Sequence, residues 1–194
     1  IQHEFAGSPY RFMIDLEGEY DFDDALKLGQ KMDEELFIWL EAPIDEGMLE
    51  QYGELRKRLN VPITADGYKM YSPEFIRQGI KTNSWDSGRF DATTIGGISR
   101  ALELLMIANN ANLTIEIQSW GHSLAQAANL HLILANEHTM YFEIPMPKEI
   151  YELGMKNGIL MSRGQALAPE GPGLGIQVDW DSLEMADFYI KVGD

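Results

Sequence analysis

Short apolar runs alternate with longer stretches of helical periodicity along most of this chain. Phe12-Met13-Ile14 and Phe37-Ile38-Trp39-Leu40 are too short for helices and end at polar residues, the pattern of strands buried on both faces. The same reasoning predicts strands at 11–15, 37–41, 61–65, 89–93, 113–118 and 140–144. Between them the periodicity turns helical. Asp21-Phe22-Asp23-Asp24 opens a predicted helix to about Glu34, with acids in its first turn. A second helix, 46–59, has Met48, Tyr52, Leu55 and Leu59 at spacings of four, three and four. Ser72-Pro73 supplies an N-cap and a first-turn proline for a third. After the Gly96-Gly97 turn comes a helix with Ile98, Ala101, Leu102, Leu105 and Met106 predicted inward, and a further helix spans 123–135.

The strand ends carry the chemistry. Asp15, Glu41, Asp66, Asp91, Gln118 and Glu143 close the six predicted strands at intervals of 26, 25, 25, 27 and 25 residues, and five of the six are acids. A strand, a loop and a returning helix use about that many residues, and in a parallel barrel all such strand ends open onto one face. Carboxylates converging there need a cation, and oxygen-only ligands suit Mg²⁺. The competing reading is that these acids cap the following helices, although caps ordinarily stand several residues beyond the strand end. A doubly wound sheet is the alternative architecture. It calls for a strand-order reversal and usually a phosphate loop, whereas Gly96-Gly97 and Gly171-Pro172-Gly173-Leu174-Gly175 lack that spacing and read as turns. The expected fold is an α/β (β/α)8-type TIM barrel. Residues 1–145 are expected to supply strands three to eight and residues 146–194 a closing extension. The first two strands are expected to lie upstream.

Composition narrows the function. A formal charge of −16 makes nucleic acid and anionic membranes poor partners, because both call for clustered Lys and Arg. With no cysteine, disulfides and thiolate metal sites are excluded. No apolar stretch reaches membrane-spanning length, and a cytoplasmic, homo-oligomeric protein is expected.

The series Ile14-Asp15-Leu16-Glu17, Trp39-Leu40-Glu41-Ala42-Pro43, Ile63-Thr64-Ala65-Asp66-Gly67, Asp91-Ala92-Thr93-Thr94-Ile95-Gly96-Gly97-Ile98 and Phe142-Glu143 resembles the enolase superfamily, in its mandelate racemase/muconate-lactonizing branch. Ala168-Pro169-Glu170-Gly171-Pro172-Gly173-Leu174-Gly175 is similar to that branch's C-terminal segment. The resemblance implies Mg²⁺ on Asp15, Glu41 and Asp66, α-proton abstraction from a small carboxylate substrate through an enediolate, and an N-terminal capping domain expected upstream. It places Asp91 where the family has a lysine base or the aspartate of a His–Asp dyad, and Glu143 where an acid hydrogen-bonds the substrate. Departures from the pattern are Glu17 for a frequent asparagine, Ala42 for a second glutamate, and Gln118 at the dyad histidine.

His122, four residues after Gln118, then has two readings: a base reaching back from the loop, or a helix-start histidine. Trp120 on the same loop is expected to wall the pocket, with Glu17 and Gln118 binding substrate hydroxyls. His131, amid Leu130, Leu132 and Leu134, reads as a core histidine. The function expected from these residues is an acid-sugar dehydratase giving a 2-keto-3-deoxy acid. The alternatives are a racemase or epimerase of a 2-hydroxy or amino acid and a catalytically silent metal-binding barrel.

Overall fold

A computed structural model describes residues 4–5, 9–35 and 37–184, so the end of the predicted C-terminal extension, 185–194, lies outside the described residues. The chain divides into two compact units, Ile1–Glu116 and Ile117–Asp194.

In the first unit the predicted alternation is present. Strands β1 (Met13–Asp15), β2 (Trp39–Glu41), β3 (Ile63–Thr64), β4 (Ser87–Phe90) and β5 (Thr114–Ile117) form one sheet in sequence order. The first four pair in parallel. Helices α1 (Phe22–Glu35), α2 (Leu49–Arg58), α3 (Pro73–Thr82), the single turn α4 (Ala92–Ile95) and α5 (Ile98–Asn109) return the chain between strands. Without a reversal of strand order, this is barrel winding rather than a doubly wound sheet. The strands are apolar because both faces are covered: Leu40, Ile63, Phe90 and Ile115 have no exposed surface. Ser72 caps α3 by accepting from the Phe75 amide, with Pro73 in the first turn as predicted.

Two predicted boundaries move, each for a local reason. The 46–59 helix begins only at Leu49, because the Asp45 carboxylate takes the Gly47 N–H at 2.8 Å and Glu46 turns inward. On α5 the buried face is Ala101, Leu104, Leu105 and Ala108, while Ile98, Leu102 and Met106 are exposed. The inward face is rotated from the predicted one because Leu104 and Ala108, not Ile98 and Leu102, continue the stripe through Ala101 and Leu105.

In the second unit, α6 (Ser123–Ala135) has the predicted bounds. Among the described residues, the predicted sixth strand at 140–144 forms no strand of the sheet. The Glu143 amide donates to the Ser119 hydroxyl at 2.7 Å instead of to a strand carbonyl, and Pro145 and Pro147 bring no amide donors. A hairpin of β6 (Met161–Ser162) and β7 (Gln165–Ala166) and a short α7 (Trp180–Glu184) complete the unit. Its apolar centre is Ala127, Leu130 and Ile159, covered by Phe142, Leu174 and Ile176.

Helices α2 and α3 pack at close range, and Gly53 permits it. A Cβ at this position would stand 2.6 Å from the Thr82 carbonyl oxygen, which belongs to the backbone and has little freedom to move. Helix propensity alone favours Gly→Ala by about 1 kcal/mol. Here the overlap decides the sign. Gly53→Ala is expected to lower stability by about 1–3 kcal/mol, the range for overpacking, measured by denaturant unfolding.

Candidate active site

The parallel ladder assembles the first part of the site. Asp15 and Glu41 are direct partners on β1 and β2, so they start from adjacent rungs roughly 4.8 Å apart. Glu41 pairs with Thr64, and Thr64 with Ser87. The ladder runs on past β3, since the Ala65 amide donates to the Ser87 carbonyl at 3.0 Å. Asp66 and Arg89 therefore follow Thr64 and Ser87 by two residues on the same face.

Four acids act on one another there. Burial pushes the Asp66 carboxyl up to about 7, with Glu46, Asp15 and Glu17 adding repulsion and Arg89 opposing it. Glu17 is raised chiefly by the Asp15 charge. It sits in a left-handed turn, φ 53°, followed by Gly18 at φ 73°, and the Gly18 amide bonds the Ala42 carbonyl at 2.8 Å. That turn folds the end of β1 against the end of β2 and keeps Glu17 beside Asp15, whose Oδ1 accepts the Glu17 amide at 2.9 Å.

Glu46 is buried and raised by that burial. Its two oxygens accept the amides of Gly67 at 2.8 Å and Lys69 at 2.7 Å, which pins the loop just after Asp66. The sequence reading missed this residue, placing it only as the first residue of the 46–59 helix. It also missed Arg89. Arg89 and Glu41 form an ion pair with side chains only 3% and 5% exposed. The guanidinium carbon stands 5.6 Å from the centre of the Trp39 ring, and the Trp39 indole N–H also donates to Glu41, at 3.2 Å. The available signal was an arginine inside a short strand, where a buried charge requires a partner.

All the donors are oxygens, which suits Mg²⁺. Among the described residues, however, no three acidic or histidine side chains stand together as a ready-made cation cage. The ladder places the backbones for one. The Glu41 carboxylate is engaged with Arg89 and Trp39 instead.

Asp91 behaves as the competing reading anticipated. It is the N-cap of α4, its Oδ1 accepting the Thr93 amide at 2.9 Å and its Oδ2 the Thr93 hydroxyl. β4 ends at Phe90 and α4 begins at Ala92, so strand end and cap coincide. In the second unit, Glu143 is anchored: its Oε2 accepts the amides of Ser119 at 2.9 Å and Trp120 at 3.3 Å. His122 occupies the N-cap position of α6 without a capping bond, and its Nε2 lies 2.8 Å from the Leu153 carbonyl oxygen. Trp120 is 61% exposed and packs edge-on against Tyr151, with ring centres 5.8 Å apart. Gln118 is half-buried just beyond β5. His131 is partly buried, and its Nε2 is a buried atom without a hydrogen bond.

Comparison with known proteins agrees with this geometry. A profile of the enolase C-terminal domain-like family matches residues 2–182, and the chain belongs to that family. A solved mandelate racemase/muconate lactonizing enzyme-type structure from Pseudovibrio sp. superposes with a TM-score of 0.91 at 33% identity, covering 97% of this chain and 50% of that one. The L-talarate/galactarate dehydratase of Salmonella typhimurium is 32% identical over 105 residues, 54% of this chain and 26% of its own. The arabinonate dehydratase of Saccharolobus solfataricus is 25% identical over 178 residues, 90% of this chain and 47% of its own. The chain thus spans about half or less of the length of these relatives. The fold is the TIM-barrel-like α/β domain of the enolase superfamily.

A proton held more tightly by the folded protein than by the unfolded chain stabilises at low pH, and that contribution fades as pH rises through the folded-state value. With Asp66 at about 7, its contribution is full below the ordinary carboxylate range and is lost between about pH 4 and 7. In EDTA, the stability difference between wild type and Asp66→Asn is expected to shift against the wild type across that window. Denaturant midpoints at several pH values measure it, and a pH-independent difference contradicts it.

Proposed function

We propose that the protein carrying this chain is a Mg²⁺-dependent enzyme that removes the proton α to a carboxylate, acting as a sugar-acid dehydratase that forms a 2-keto-3-deoxy acid. The observation that carries this reading is the pairing of Asp15 with Glu41 in the ladder, beside an Asp66 whose carboxyl feels the Asp15 charge. Asp15, Glu41 and Asp66 are the proposed ligands. When bound, the cation supplies positive charge where negative charge develops on the substrate carboxylate. The two dehydratases among the relatives support the sugar-acid assignment.

The remaining roles belong to the chain's own side chains. Asp91, already fixed by its cap, and His122 are the proposed proton-transfer residues. Glu143, fixed by two amides, presents its carboxyl group to the substrate. Glu17, Gln118 and Trp120 bind the hydroxyl-bearing end. Strands one and two, a capping domain, a homo-oligomeric assembly and a cytoplasmic location complete the proposal. Among the described residues no helix is long and apolar enough to cross a membrane.

An isomerase is the second reading. Muconate cycloisomerase 1 of Rhodococcus opacus and D-galactarolactone cycloisomerase of Agrobacterium fabrum match 88% and 93% of the chain. Incubation of the intact protein with a panel of sugar acids and Mg²⁺, read by mass spectrometry, separates the two. Dehydration loses one water, while isomerisation conserves mass. Turnover that EDTA abolishes and Mg²⁺ restores is expected; cation binding without turnover of any acid supports the silent barrel instead. Asp91→Asn and His122→Asn are each expected to lower kcat by about two orders of magnitude, the size of losing a general base. KM should change far less, and an unchanged kcat for His122→Asn removes it from the chemistry.

A further inference from the structure

We propose that Arg89 is an internal cation that competes with the metal for Glu41, so that the site binds its ion only when the Glu41 carboxylate leaves the guanidinium. This inference rests on the metal reading above and concerns how that metal is admitted.

Three observations converge on it. Glu41 is the middle residue of the proposed ligand set by ladder position, next to Asp15, yet its Oε2 is held by both Arg89 and the Trp39 indole. Among the described residues the acids do not form a ready-made cage, and the Glu41 carboxylate is turned to the guanidinium instead. Arg89 also comes from β4, two strands from Glu41, so its side chain must cross above β3. The residues beneath that path are small and satisfied: Thr64 and Ser87 bond each other through their hydroxyls at 2.8 Å. The crossing puts a permanent positive charge among Glu41, Asp66 and the acids beside them, where a divalent ion would otherwise sit. An arginine cannot release its proton to make way, so only movement can exchange one cation for the other. The Trp39 ring gives the guanidinium a face to remain on once Glu41 departs.

A guanidinium that merely oriented Glu41 for the metal would give the opposite result, because loss of such an outer hydrogen bond weakens metal binding about 10–100-fold. The sign therefore decides. In calorimetric titrations of the intact, EDTA-stripped protein with MgCl2, Arg89→Gln is expected to bind Mg²⁺ at least about tenfold more tightly than wild type. A unit charge within about 7 Å of a divalent ion has about that effect even at the dielectric of water. Arg89→Lys, which keeps the charge, should stay within about threefold of wild type. Equal or weaker binding by a folded Arg89→Gln overturns the inference.

If that variant does not fold, the wild type carries the test. The Trp39 indole N–H resonance, assigned with Trp39→Phe, should shift on saturation with Mg²⁺ as its acceptor moves, and an unmoved resonance overturns the inference. Failure of the underlying reading looks different. Absence of Mg²⁺ binding by wild type and Arg89→Gln alike, or binding that Asp15→Asn leaves intact, overturns the metal site and this inference with it. Binding that Asp15→Asn weakens and Arg89→Gln does not tighten overturns the inference alone.

Discussion

Acids brought together by a parallel sheet must be neutralised, and that constraint shapes the strand-end face of the first unit. Parallel pairing puts Asp15 beside Glu41 because both end their strands, and no choice of rotamer undoes the backbone juxtaposition. Each neighbouring acid meets the problem differently. Asp66 holds its proton to about neutrality, Glu46 is satisfied by two amides, and Glu41 takes a guanidinium. Removing one partner from a buried ion pair costs roughly 3–5 kcal/mol, so the Arg89–Glu41 contact is a structural commitment as well as an electrostatic one. Buried acids compensated in these ways are compatible with a stable barrel wall; the same carboxylates left unmatched would not be.

The series of strand ends was legible because a parallel barrel has a fixed repeat. A βα unit needs about 25 residues whatever its sequence, so the spacing of Asp15, Glu41 and Asp66 carried the topology. The helix starts at Asp21 and Ser72 were legible too, since capping is a local property of a few residues. The sixth strand was not. The apolar run at 140–144 has strand composition, but its amide donor at Glu143 goes to the Ser119 hydroxyl, a long-range choice that no local pattern records. The face of α5 was misplaced for a similar reason: a helix with apolar residues on most sides offers several stripes, and tertiary packing selects one.

Within the site, residue type was easier to read than residue posture. Asp91 stands where the spacing puts it, yet it is also the cap of α4, because this strand passes into its helix with no intervening loop. Both roles are compatible, since a carboxylate fixed by Thr93 is a defined acceptor. His122 and Trp120 are on the predicted loop, but their neighbours, the Leu153 carbonyl and the Tyr151 ring, come from about 30 residues further along. Arg89 and Glu46 were missed because their significance lies wholly in partners on other strands and loops.

The central claim is that Asp15, Glu41 and Asp66 serve a single ion. The most direct measurement is a crystal structure of the intact protein soaked with Mn²⁺ in place of Mg²⁺, read by anomalous scattering. One peak is expected, about 2.0–2.3 Å from an oxygen of each of the three carboxylates, with the Glu41 side chain moved off Arg89. A peak bonded to fewer than two of them, or no peak at saturating Mn²⁺ with Glu41 still on the guanidinium, contradicts it.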